Sequence, residues 1–183
     1  MNKMNMTQQD KISLILSETT RCYISGKETI NGQYSFVPSI VRHNYKAQLT
    51  KLGKIYYGRN HFVDLGCGMG NVVLLMALHY PDKTCVGIDL DHILLQQAIT
   101  LRNKLEINNA HFIQSDIISY PVMKFNAIYT YMPMYGQKLE QFLGQLMIQL
   151  YHDTNAVWYE AYRDKVWTSC PQVGVSLGNT PPS

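Results

Sequence analysis

No apolar run in this chain approaches the ~20 residues that a membrane helix needs. Residues 1–10 are polar and lack the apolar stretch of a secretory signal. Cysteines are few: Cys22, Cys67, Cys85 and Cys170 show no C-x-x-C spacing and form no zinc set with the six histidines. Charge of one sign is also scarce. Sixteen Lys and Arg against 13 Asp and Glu give a net charge of +3, and the basic residues are dispersed without a run. Nucleic acid is therefore not indicated as a partner. There is no internal repeat and no low-complexity block. The expectation is a soluble, cytoplasmic protein in a reducing compartment. With 183 residues it is large enough for a real core.

Against these absences one segment stands out. His61-Phe62-Val63-Asp64-Leu65 is an apolar strand pattern carrying one acid, and it runs into Gly66-Cys67-Gly68-Met69-Gly70-Asn71. An apolar helix pattern, 72–78, leaves it. Glycines at alternate positions let the backbone turn sharply where side chains would obstruct a ligand. A dinucleotide fold expects G-x-G-x-x-G. Here the third glycine comes one position early, and Asp64 lies two positions before the first. That carboxylate would oppose a pyrophosphate and suits a cationic ligand. Cys67 fills a place where a small residue is needed, and Cys85 reads as strand core; neither reads as a catalytic thiol.

Two further strands end in acids. Residues 84–88 lead to Asp89, 19 residues after Gly70. That spacing lets an acid of a βαβ unit reach ribose hydroxyls, and a carboxylate can accept from both. Residues 111–114 lead through Ser115 to Asp116. The bland alternative is a doubly wound domain with incidental acids at its strand ends.

The rest of the pattern alternates strand and helix: strands at 62–65, 84–88, 111–114, 125–131 and 156–162, and helices at 71–80, from near Asp91, and through Leu139, Phe142, Leu143, Leu146, Met147 and Leu150. Asp91 reads as a helix cap. This predicts an α/β fold with a mostly parallel Rossmann-like sheet and helices on both faces. The carboxyl edge reads as shortened, with 165–167 and 173–175 as short strands and a disordered tail. Residues 1–50 form an N-terminal helical cap segment, with helices at 11–19 and from about 39. Residues 51–183 form the main domain.

Asp64-Leu65-Gly66-Cys67-Gly68-Met69-Gly70, followed by the acids at the ends of the second and third strands, resembles class I methyltransferases that use S-adenosylmethionine. That resemblance implies a sheet of the family's Rossmann-like kind and S-adenosylmethionine as cofactor. It implies cofactor contacts from Asp64, Gly66, Cys67, Gly68, Gly70, Asn71, Asp89, Leu90, Asp116, Ile117 and Tyr131. In that family the third acid often accepts from the adenine amino group, and the next residue often packs on the purine. The layout over 34–165 also resembles the small methyltransferases related to the ATP synthase c-subunit lysine methyltransferase. It departs from them at Met69 and in having Asp89 rather than Glu.

The acceptor side is expected at the end of the fourth strand, Tyr129-Thr130-Tyr131-Met132-Pro133-Met134-Tyr135. The acid or amide and the double proline of amino-methylating DNA enzymes are missing there. Tyr131 and Tyr135 are the candidate walls of an acceptor channel, with 34–39 closing above; core packing is the alternative for these tyrosines. His43, His61, His79 and His92 read as surface residues. The functional reading is methyl transfer to a nitrogen (protein lysine among the candidates) or an oxygen acceptor. A small-molecule methyltransferase and a non-catalytic S-adenosylmethionine-binding protein are the alternatives.

Overall fold

In a computed structural model, the structure describes residues 6–24, 45–131, 136–151, 155–161 and 165–168. The chain order is α1 (Gln8–Ile24), α2 (Tyr45–Ile55), β1 (His61–Leu65), α3 (Asn71–His79), β2 (Thr84–Asp89), α4 (His92–Lys104), β3 (Ala110–Gln114), β4 (Ala127–Thr130), α5 (Gly136–Tyr151), β5 (Val157–Glu160) and β6 (Lys165–Thr168). The strands form one sheet in the order β3-β2-β1-β4-β5-β6. All neighbours are parallel except β5 and β6, which pair antiparallel. The expected Rossmann-like sheet is therefore present.

Burial explains the arrangement. Phe62, Tyr129, Val157 and Tyr159 point to one face of the sheet, where they join α1 through Ile12 and Ile15, α2 through Leu49 and Leu52, nearly all of α3, and α4 through Leu95 and Leu101. Val63, Leu65, Val86, Ile88, Ile128 and Trp158 point to the other face, where they meet Phe142, Leu146 and Leu150 of α5. Alternation along each strand thus feeds two cores. α3 is apolar nearly all round, with 71–77 buried, because it lies between the sheet and α1.

Several boundaries differ from the sequence reading. α1 begins at Gln8 rather than 11, because Thr7 and Asp10 form a reciprocal cap. Asp10 Oδ2 accepts from Thr7 N–H (3.0 Å) and its hydroxyl (2.6 Å), and Thr7 Oγ1 accepts from Asp10 N–H (3.2 Å). The fourth strand starts at Ala127 rather than 125. Phe125 N–H instead closes a turn on Val122 O, and Asn126 Oδ1 accepts from His61 N–H. No helix separates β3 from β4; the turn-rich stretch 115–126 covers the second core with Ile117, Val122 and Phe125. Of the two strands expected at the carboxyl edge, 165–167 is present as β6, whose Trp167 stacks on Trp158 (5.5 Å, 14°). The other, 173–175, lies outside the described residues, as do 34–39 and the expected helix start near 39. α2 runs continuously through residues 50 and 51.

The strand order reverses between β1 and β4. In open α/β sheets ligands bind outside the carboxyl ends of the strands at such a switch point. The glycine segment leaves β1 at that point.

Candidate functional site at the carboxyl ends of the strands

The loop from β1 to α3 is held by its own backbone and by β2. Gly66 N–H and Cys67 N–H both donate to Ile88 O (2.8 and 3.1 Å), and Gly70 N–H donates to Cys67 O (2.9 Å). Gly68 and Gly70 have φ of 52° and 71°, the left-handed region that glycine enters without strain. Their surroundings differ. A Cβ on Gly68 would meet no atom of the protein within 4 Å. A Cβ on Gly70 would lie 2.2 Å from the Phe112 ring. Cys67 packs its sulfur over Gly87, where a Cβ would lie 2.7 Å away. Burial first, then the charges of Asp64 and Asp89, push the Cys67 thiol well above its usual range. Burial pushes Cys85 up to about 12. Both thiols stay protonated at neutral pH, as expected of packing residues.

Asp64 is buried, at 4% exposure, directly beneath this loop. The register sets it between Gly87 of β2 and Tyr129 of β4. Burial raises its carboxyl well above the ordinary range, and the Asp89 charge raises it further. No hydrogen bond or cation among the described residues opposes that rise.

Asp89 stands at the end of β2, half-buried. Its Oδ2 accepts from Gly68 N–H at 2.7 Å and its Oδ1 from Asp91 N–H at 2.9 Å. Asp91 caps α4 as expected, accepting from Ile93 N–H (2.9 Å) and Leu94 N–H (3.2 Å). Leu90 between them is 48% exposed. Asp116 is exposed after β3, and its Oδ1 accepts from Ile118 N–H at 2.9 Å in a local turn. Ile117 is buried in the second core. The loop, Asp64, Asp89 and Leu90 therefore come together, Asp116 stands one strand further out, and Ile117 turns inward. Tyr131 follows β4, half-buried, while Tyr135 lies outside the described residues together with 132–134.

Sequence reasoning passed over two features. Tyr129 is buried against Phe62 (6.3 Å between ring centres) and Tyr159 (6.0 Å), which fits the core reading. Yet its hydroxyl has no hydrogen-bond partner among the described residues, and neither has Asn71 Oδ1 at the start of α3. Buried polar atoms are seldom left so. Glu160, buried at the end of β5, is a further strand-terminal acid beside Thr130. The signal that singled out Asp89, an acid closing an apolar strand, was available for it too. His61, His79 and His92 are exposed, in line with the surface reading; His43 lies outside the described residues.

Comparison with known proteins follows this geometry. A 61-residue stretch is 41% identical to the trans-aconitate 2-methyltransferase of Paracidovorax citrulli (strain AAC00-1), covering 33% of this chain and 22% of that protein. An 87-residue stretch is 30% identical to the trans-aconitate 2-methyltransferase of Rhodopseudomonas palustris (strain BisA53), covering 46% and 33%. The matches thus span no more than a third of those relatives' length. The fold resembles that of coclaurine N-methyltransferase bound to N-methylheliamine and S-adenosylhomocysteine, with a TM-score of 0.54 and 13% identity over 85% of this chain and 51% of that one. Residues 59–157, which hold the glycine loop and the three strand-end aspartates, match the family described as "Methyltransferase domain", and the chain belongs to that family.

Proposed function

We propose that the chain binds S-adenosylmethionine at the carboxyl ends of β1, β2 and β3 and transfers its methyl group to a nitrogen or oxygen acceptor. The observation that carries this reading is Asp64. A carboxylate buried without a counter-ion destabilises a fold by several kcal/mol, so a protein that keeps one gains from a cation supplied by a ligand. S-adenosylmethionine brings an ammonium and a sulfonium. The hydroxyl of Tyr129 and Asn71 Oδ1 offer two further acceptors for polar hydrogens nearby. A Cβ-free, left-handed Gly68 lets a ligand approach the backbone. Asp89 retains lone pairs for ribose hydroxyls, since each of its oxygens receives one backbone N–H. Asp116 would accept from the adenine amino group, as the resemblance implies. Leu90, the exposed neighbour of Asp89, would offer the cofactor an apolar contact.

When bound, the cofactor supplies a methyl group already activated on sulfur. The chain's residues need only align the acceptor and exclude water. For the acceptor, charge favours an amine. Asp89 and Asp116 stand at two successive strand ends, and neither is paired with Lys or Arg among the described residues. Such a field attracts cations and opposes a polycarboxylate. An incoming ammonium must lose its proton, and an acceptor channel walled by Tyr131 and Tyr135, the candidates from the sequence, would lower its pKa by desolvation. Protein lysine is the amine this supports, in keeping with the resemblance to small lysine methyltransferases. The identity to trans-aconitate 2-methyltransferases favours a second reading, a small carboxylate as oxygen acceptor.

Labelled S-adenosylmethionine in a cell lysate separates these readings. The expected result is label on protein, rising between about pH 7 and 9 as more lysine is neutral. Label confined to small acids would establish the second reading. Tight cofactor binding with no label anywhere would make the chain a non-catalytic binder.

A further inference from the structure

Asp89 is set for ribose, yet both of its carboxylate oxygens already serve the protein's own backbone. We propose that Asp89 is also a positioning residue: it builds the glycine loop before any ligand arrives, by tying the loop's midpoint to the start of α4. The inference rests on reading this loop as the ligand site, and it concerns the ligand-free protein.

The loop's hydrogen bonds divide cleanly. Gly66 and Cys67 hang from Ile88 O, and Gly70 is held by Cys67 O. Gly68, the residue between, is held by Asp89 Oδ2 at 2.7 Å. With Gly68 at φ 52° and no atom within 4 Å of a Cβ position, packing does not fix this residue. Cys67 Sγ–H also donates to Gly68 O, a weak contact at 3.7 Å. Glycine has the widest conformational choice of any residue, so the Asp89 bond is the strong tie on its state. That bond is charge-assisted and short, in the stronger class of protein hydrogen bonds. The other oxygen receives Asp91 N–H at 2.9 Å, and Asp91 in turn caps α4. One carboxylate thus links the loop, the end of β2 and the helix. Gly68 N–H points to Asp89, so it is not the amide that greets a ligand.

The test is amide hydrogen exchange, read residue by residue by NMR, on the ligand-free full chain and its Asp89→Ala and Asp89→Leu variants. Leucine is similar in shape and offers no acceptor, so it carries the test if Asp89→Ala does not fold. The expected result is exchange at Gly68 faster by about tenfold or more. Gly66, bonded to Ile88 O, serves as control and should stay within about twofold of wild type. Titration with S-adenosylmethionine should show weakened binding in the same variants. Unchanged exchange at Gly68 in a folded variant that has lost affinity would overturn the proposal and leave Asp89 acting on the ligand alone. Faster exchange at Gly68 in a chain whose wild type binds no S-adenosylmethionine would uphold the positioning role and remove the ligand reading.

Discussion

Asp64→Asn is expected to make the ligand-free protein more stable and to weaken its affinity for S-adenosylmethionine. The carboxyl is raised in the fold by burial and then by Asp89, above its unfolded value near 3.8. A group raised on folding contributes stability that is fully present below its unfolded pKa and is lost as pH climbs through the folded one. The wild type should therefore lose stability as pH rises from about 4 through the raised value, whereas Asp64→Asn should not lose this increment. At neutral pH the variant melts higher, by about 2–4 °C for each kcal/mol recovered in a domain of this size. Binding moves the other way. Losing a charged partner of the ligand costs about 1.5–3 kcal/mol, roughly 10- to 150-fold in affinity. Thermal melts across pH with and without S-adenosylmethionine read both effects. A variant that melts lower at neutral pH and binds as before would show that Asp64 is an ordinary structural acid.

Gly70→Ala is expected to destabilise the fold more than Gly68→Ala does. The new Cβ would lie 2.2 and 2.5 Å from two atoms of the Phe112 ring and 3.2 Å from Ala98 Cβ, on a backbone at φ 71°. Left-handed strain costs about 1–2 kcal/mol, and overpacking costs about 1–3 kcal/mol. The sum is roughly 2–5 kcal/mol, or about 4–20 °C in Tm. Phe112 leans on two glycines at once. It pairs with Gly87 across β2 and β3, and a Cβ there would meet the ring at 2.8 Å. Phe112→Leu in the Gly70→Ala background should therefore recover the overpacking part and leave the strain. A Tm within about 1 °C of wild type for Gly70→Ala would mean that the ring moves aside freely.

Much of the fold could be read from the chain, and the reasons are local. β1, α3 and β2 have strong apolar periods, so their bounds fell within one residue, and Asp91 marked the start of α4. The edges were less legible. The reciprocal cap at Thr7 and Asp10 was a sequence signal left unread, whereas the start of β4 depends on Asn126 bonding to His61, 65 residues away. In the site, the spacing of the glycines and acids carried Asp64, Asp89 and Asp91 to their places. It did not reveal that Asp89 would spend its oxygens on Gly68 and Asp91, because that depends on loop geometry rather than spacing. Nor did it reveal the inward turn of Ile117, which follows from the turn-rich 115–126 stretch sealing the second core in place of a helix.

Calorimetric titration of the wild-type full chain with S-adenosylmethionine, alongside Asp64→Asn, bears most directly on whether this buried carboxylate is the counter-ion of a cationic cofactor. The predicted result is saturable one-to-one binding to the wild type that weakens by about tenfold or more in the variant. A wild type that shows no saturable binding, or a folded Asp64→Asn that binds as tightly as wild type, would contradict it.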